Sequence, residues 1–226
     1  MFENSLHNLS HVAIPGWDLG LVAAALTTVL ICLAKKYRNM TLLLIIQACC
    51  LSALTFFLGL ASGEAHLLLA GLANLAFKGA VIPYLLWASL RKAGLDRRKD
   101  ERFSVLAAGV WIGAIALLTV FLTPPLLAAA PVLSGRTLQC GLAGIFLGLW
   151  MMIFRNFLYS QVAGLLLMEN GLYLVALALT SGMPVLIELG IMFDLFVAVV
   201  VVGILLERVR RLFETTAIDQ LKQLRG

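Results

Sequence analysis

Residues 153–211 read IFRNFLYSQVAGLLLMENGLYLVALALTSGMPVLIELGIMFDLFVAVVVVGILLERVRR. Two apolar runs, 157–180 and 184–206, are joined by the tight Ser181-Gly182-Met183-Pro184 turn and closed by Arg208, Arg210 and Arg211. Each run supplies the roughly 20 apolar residues that a helix needs to cross the hydrocarbon core of a bilayer. The short turn makes the two helices antiparallel neighbours. Each carries one carboxylate near its middle, Glu169 and Asp194, so the two acids lie at similar depth. Working outward, further runs of the same kind fall at 17–34, 40–61, 66–90, 103–123 and 138–154, the last expected to run a little beyond those limits. The reading is an all-α integral membrane protein, a bundle of about seven transmembrane helices.

Composition agrees. Of 226 residues, 62% are hydrophobic and 13% charged, against roughly a quarter charged in soluble domains. A soluble surface cannot absorb that excess, whereas a bilayer puts lipid in place of water. The net charge of +5 does not point to nucleic acid. The basic residues form short clusters between apolar runs and make no stripe with aromatics. Lys35, Lys36 and Arg38 lie in one connection, and Arg91, Lys92, Arg97, Arg98, Lys99 and Arg102 in another. Arg155 lies in a third, and Arg208, Arg210, Arg211, Lys222 and Arg225 in the tail. These connections alternate, so they share one side, and the opposite side holds only Arg136. The positive-inside rule then puts the N-terminus outside and the C-terminus in the cytoplasm, which requires an odd number of spans. Pro124-Pro125 and Ala130-Pro131 mark an outer loop at 124–131. Cys32, Cys49, Cys50 and Cys140 stand in apolar runs without paired spacing and read as small hydrophobes. The N-terminus lacks the pattern of a cleaved signal peptide.

A weak internal repeat is visible. Arg38-Asn39 opens the second span and Arg155-Asn156 the sixth. An offset of 117 sets Ser52 over Glu169 and, within one residue, Lys78 over Asp194. Each copy would be three helices in the same orientation, a parallel repeat. This divides the chain into an N-terminal three-helix unit at 1–92, a connecting helix and outer loop at 93–137, and a C-terminal three-helix unit with a basic tail at 138–226.

Lys78, Glu169 and Asp194 each stand about ten residues, or about 15 Å, from a membrane surface. A charge there costs about 2.5–3.5 kcal/mol on insertion scales. One reading has these groups pairing with each other or with neighbouring subunits to fasten helices. The other is a proton path: low dielectric favours a neutral carboxyl group, and an approaching cation favours its ionised form. Lys78 would then supply the modulating charge to acids at the same depth, with transfer along the midplane. The surroundings suit hydrated helix turns. Pro83 cannot donate to the carbonyl of Gly79, Asn74 lies one turn before Lys78, and Tyr173 lies one turn after Glu169. Asn170 and Gly171 follow Glu169 directly, and Gly190, one turn before Asp194, admits close helix packing. Glu188 faces a different direction from Asp194 and fits an exit path or a subunit contact. Glu64 and His66 read as interfacial.

Other chemistries find no support. His7, His11 and His66 all lie at the outer surface, where they cannot form the facing pairs that hold haem. A retinal Schiff base would rest on Lys78 alone. No phosphate-binding loop, nucleophile elbow or zinc-binding H-E-x-x-H occurs.

Two signatures, Met168-Glu169-Asn170-Gly171 and Glu188-Leu189-Gly190-Ile191-Met192-Phe193-Asp194, with FKGAVIP at 77–83, resemble the hydrogenase-4 component E family, over nearly the whole chain. The last three helices also resemble subunit K of respiratory complex I and its counterpart in multisubunit cation/proton antiporters. Those proteins carry a G-L-E motif in the second helix, an acid in mid-third helix and a basic cluster with an I-D…R-G tail. Here Gly164-Leu165, Asp194, Arg208 to Arg211, Ile218-Asp219 and Arg225-Gly226 match. The motif's Glu would fall at Leu166, and the acid is instead Glu169, about 300° and 4.5 Å further along the helix. The resemblance implies a non-catalytic membrane subunit of a complex I-related hydrogenase of the formate hydrogenlyase type, in a bacterial or archaeal cytoplasmic membrane. It implies no cofactor in this chain, with the nickel-iron centre and iron–sulfur clusters in partner subunits. The partners it implies are antiporter-like membrane subunits, a hydrogenase-anchoring membrane subunit, the hydrogenase peripheral arm, and lipid. A non-conducting scaffold, a subunit of a cation/proton antiporter and a free-standing transporter stay open as alternatives.

Overall fold

The computed structural model describes residues 17–63, 65–92, 104–129, 134–180 and 203. Helix α1 spans Trp17–Leu33 and α2 Tyr37–Ser62. A third span is built in three pieces: α3 (Ala65–Asn74), a π-helical segment (Leu75–Val81) and α4 (Ile82–Lys92). Then come α5 (Val105–Ala129), α6 (Gly135–Phe154) and α7 (Leu158–Thr180). Among the described residues there is no strand.

Five of these spans are long and apolar enough to cross a membrane: Tyr37–Ala61, Leu67–Ala88, Val105–Ala128, Gly135–Phe154 and Tyr159–Leu179. Helix α1 is shorter, at 17 residues, or about 25 Å. The seventh expected span, 184–206, lies almost entirely outside the described residues, as do Glu188, Asp194 and the basic tail. The fifth span extends beyond its expected start, from 138 back to Gly135. There Ser134 caps the helix by accepting from the Thr137 N–H. At the far end of α2, Gly63 adopts a left-handed conformation (φ 71°) and returns its N–H to the Gly59 carbonyl. A residue with a Cβ would resist that C-terminal stop.

One expectation is corrected. The outer loop does not begin at Pro124, because α5 runs through Pro124 and Pro125 to Ala129. Proline's fixed φ suits a helix; its cost is a missing N–H and a clash with the carbonyl a turn earlier. Transmembrane helices tolerate that cost because side chains and neighbours take up the freed groups. Thr123, directly before Pro124, donates from its hydroxyl to the Thr119 carbonyl at 2.7 Å; the carbonyls that the two prolines leave without a helical donor are those of Val120 and Phe121. Arg155 also departs from its reading as a loop charge. It is 2% exposed, and its guanidinium donates to the carbonyls of Cys32 (2.6 Å) and Ala34 (3.0 Å) at the C-terminal end of α1. A cation suits that end of the helix dipole.

Helix α7 is the centre of the bundle, with 67% of its span buried, whereas α5 has 17% buried and turns Leu106, Val110 and Phe121 outward. Helices α6 and α7 approach backbone to backbone. A Cβ on Gly148 would lie 2.5 Å from the Met168 nitrogen, and one on Gly171 2.5 Å from the Ile145 nitrogen. Small residues permit such contact, which in lipid takes the place of a hydrophobic drive between helices. Helix α2 lies beside α7 and parallel to it: Thr41 bonds Tyr159, Gln47 bonds Asn170 and Thr55 bonds Tyr173, all advancing together along both chains.

Candidate functional site

The site begins with Lys78 on the π-helical segment. Ile82 donates its N–H to the Phe77 carbonyl, five residues back, in place of the usual four. The widened turn stands just before Pro83, where the α ladder must lose a bond in any case. Such π turns occur often at functional sites. Lys78 is 6% exposed and Glu169 is 6% exposed. Their side chains meet across the bundle, with Nζ 2.8 Å from Oε1. Glu169 is ten residues from either end of its span, and Lys78 stands similarly deep. The pair therefore occupies the middle of both helices.

Around the pair lies a polar layer drawn from four helices. The Lys78 ammonium stands 5.4 Å from the centre of the Tyr173 ring, within cation–π range, and the Tyr173 hydroxyl bonds Thr55 at 2.7 Å. Asn74 donates to the Ser52 hydroxyl at 2.8 Å. Asn170 donates to Gln47 at 3.1 Å, and Gln47 donates to Thr28 at 2.8 Å. Three buried acceptors in this layer have no hydrogen-bond partner among the described residues: Glu169 Oε2, Asn170 Oδ1 and Asn74 Oδ1. Buried acceptors of this kind are ordinarily satisfied, by protein or by ordered water.

The structure thus brings together Lys78, Glu169, Asn74, Asn170 and Tyr173. Glu188 and Asp194 lie outside the described residues. Gln47, Ser52 and Thr28 complete the layer. Ser52, the position that the repeat offset sets over Glu169, accepts from Asn74. Gln47 could have been noticed as the lone amide of the second span. Leu166, where the subunit K motif has its Glu, is packed in the apolar core with Leu147, Met151 and Tyr159.

Two cavities reach toward this layer from opposite ends of the bundle. One, of about 490 Å3, lies between α1, α5 and α6, with Asp18 and Arg136 at one end and Thr28 among its walls. The other, of about 290 Å3, runs from Arg38 and Thr41 to Gly79 and Pro83, beside the turn that carries Lys78. Among the described residues no group of three or more His, Cys, Asp or Glu side chains is arranged to hold a metal ion.

No family model matches the chain, and no solved structure matches it. Among curated proteins, hydrogenase-4 component E of Escherichia coli K12 is 27% identical over 151 residues, 66% of this chain and 69% of that protein. The component E of Shigella flexneri matches to the same extent. Uncharacterized protein Rv0085 of Mycobacterium tuberculosis is 31% identical over 209 residues, 92% of this chain and 95% of the relative. The match therefore runs across nearly all of both proteins, and the chain belongs to one family with mycobacterial Rv0085, with hydrogenase-4 component E as a more distant relative.

Proposed function

We propose that the protein is a multi-pass subunit of a hydrogenase-type complex in a bacterial or archaeal cytoplasmic membrane. In this reading the Lys78–Glu169 pair is a switching element of a proton path at the midplane. The observation that carries the reading is the pair itself: two ionisable groups, buried inside one chain and midway through their helices. Hydrogen chemistry, with its nickel-iron and iron–sulfur centres, belongs to partner subunits. The chain contributes charge control.

The physical logic is simple. While Nζ stays at Oε1, the cation favours the ionised form of Glu169. A charge approaching Lys78 from a neighbouring subunit, or a shift of the π turn, would draw the ammonium away. The carboxylate would then be a lone charge in low dielectric and would take up a proton. Return of Lys78 expels that proton. Asp194, at matching depth on the next predicted span, is the next acid in line, and Glu188 fits an exit on the outer side. The distant likeness to hydrogenase-4 component E supports a place beside antiporter-like and hydrogenase-anchoring membrane subunits.

A neutral pair separates conduction from assembly. Lys78→Met/Glu169→Gln leaves no lone charge, so the complex should assemble. Affinity purification through this chain should yield hydrogenase large and small subunits, and native gels should show the intact complex. Hydrogen-linked acidification of inverted membrane vesicles should fall severalfold while hydrogen turnover by the peripheral arm persists. Full acidification by the assembled neutral variant would leave the pair as a fastening between helices in a scaffold subunit. Purification of the chain alone, as a stable homo-oligomer, would favour a free-standing transporter.

A further inference from the structure

The cavity between α1, α5 and α6 is not used by the pair-switching scheme; its wall is mostly apolar, and the polar residues set into it have an order. At one end stand Asp18 and Arg136, an exposed ion pair at 3.0 Å. Gln139 and Cys140 on α6 and Thr119 on α5 follow along the wall, and Thr28 on α1 also lines it. Thr28 is 6% exposed and is the acceptor for Gln47. Gln47 is in turn the acceptor for Asn170, the residue next to Glu169. The same cavity wall that begins at an ionic surface pair therefore reaches the buried polar layer by two side-chain hydrogen bonds.

We propose that this cavity is a hydrated half-channel, the access route by which water and protons reach the Lys78–Glu169 pair from the Asp18–Arg136 face. The inference deepens the proton-path reading and rests on it for its purpose, though not for its test. Water fits the site for three reasons. A volume of about 490 Å3 holds many waters, each of which occupies about 30 Å3 in the liquid. Polar groups from three helices face the space, and water needs two to four partners. Beyond Thr28, and outside the cavity's own lining, the unpartnered oxygens of Asn170, Glu169 and Asn74 are further acceptors that water would satisfy. Amides do not themselves pass protons on, so Gln47 and Asn170 act as positioning residues that hold water in file. The competing occupant of a groove in a membrane protein is a lipid acyl chain, which would keep it dry.

Adjacent residues of α1 make the test depth-matched. Ala25 lines the cavity, while Leu26 is 58% exposed, is not part of the cavity wall and faces lipid. Single-cysteine proteins carrying Ala25→Cys, Leu26→Cys or native Cys140, with other cysteines removed, are placed in vesicles. Each is treated with a charged, membrane-impermeant methanethiosulfonate applied on the Arg136 side. Thiolate chemistry needs water, so Ala25→Cys and Cys140 should react at least about tenfold faster than Leu26→Cys. Equal, slow labelling of all three would mean a lipid-filled groove and would overturn the proposal. Labelling reads hydration whether or not the protein pumps. A hydrated cavity beside a neutral pair that still supports pumping would sink the switching scheme alone, and a dry cavity beside a pair whose neutralisation stops pumping would sink the half-channel alone.

Discussion

At the scale of the residue, the midplane pair makes a sharp energetic statement. Removing one member of a buried ion pair strands the other, at a cost of about 3–5 kcal/mol, whereas replacing both by apolar groups is often neutral. Lys78→Met and Glu169→Leu should each lower the thermal midpoint in detergent by roughly 6–20 °C, on the scaling for domains of this size. The double variant should recover most of that loss. If the singles cost nothing, the 2.8 Å contact does not persist in the membrane. Arg155 gives a second residue-scale expectation. Its hydrogen bonds to Cys32 and Ala34 are charge-assisted, so Arg155→Met should destabilise by about 2–4 kcal/mol, read in the same melts. Lys, with no planar fork to span two carbonyls, should rescue only in part. Lys78 and Glu169 were legible in the sequence because a charge in an apolar run is conspicuous. That they face each other was not, since depth is a one-dimensional quantity and rotation about each helix axis is set by packing. Gln47 and Thr28 were harder still, because a neutral polar side chain in a span carries little cost to draw attention.

At the scale of the element, helix periodicity is nearly silent in this chain, because spans surrounded by lipid are apolar all round. The run lengths gave six elements in the places where helices stand, and the errors fall at punctuation. Pro124-Pro125 was read by rules for aqueous loops, and α5 passes through it. At Pro83, read as unable to donate to the Gly79 carbonyl, the structure adds what the sequence did not show, a π turn over Leu75–Val81. The G-x-x-G-x-x-x-G pattern at Gly141, Gly144 and Gly148 went unread, although it carries the tightest helix contact in the described structure. A graded experiment follows from it. Gly148→Ala places a Cβ 2.5 Å from a backbone nitrogen, where no side-chain rotation relieves the clash, so the helices must separate. Overpacking of this kind costs about 1–3 kcal/mol or more. Gly109 and Gly113 on α5 have nothing within 4 Å of an added Cβ. Alanine at either should be neutral or stabilising by up to about 1 kcal/mol, the ordinary helix preference. Thermal unfolding of the three variants side by side checks the order. Similar effects at all three would remove the close α6–α7 contact from the account.

At the scale of the whole molecule, the open question is which face looks out. Asp18 with Arg136, Thr41 with Tyr159, and Thr55 with Tyr173 are all 118 residues apart. Pairs between these helices stay within a few residues of that spacing, so α1 runs parallel to α6 and α2 to α7, which fixes which helix ends lie together. The Asp18–Arg136 end also holds Gly63, and the opposite end holds Lys35, Lys36, Arg38 and Arg91. Burial of Arg155 removes one cation from the count that oriented the chain. The exposed residues still decide it. Lys35, Lys36, Arg38 and Arg91 are solvent- or headgroup-exposed, while among the described residues the other end carries one cation, Arg136. By the positive-inside rule the bias predicts the Lys35–Arg38 end in the cytoplasm, with the cavity proposed as a half-channel opening outward. Alkaline phosphatase inserted after Gly63 should be active in the periplasm, and a fusion after Lys92 should be silent. A fluorescent protein that folds only in the cytoplasm should report from the C-terminus if the seventh span at 184–206 exists. Phosphatase activity after Lys92 with silence after Gly63 would invert the bundle. Protons entering beside Arg136 would then come from the cytoplasm, and the cavity at Arg38, Gly79 and Pro83 would become the outward path. Fluorescence lost at the C-terminus, with the other two results as expected, would instead leave an even number of spans and strike out the helix assigned to Asp194.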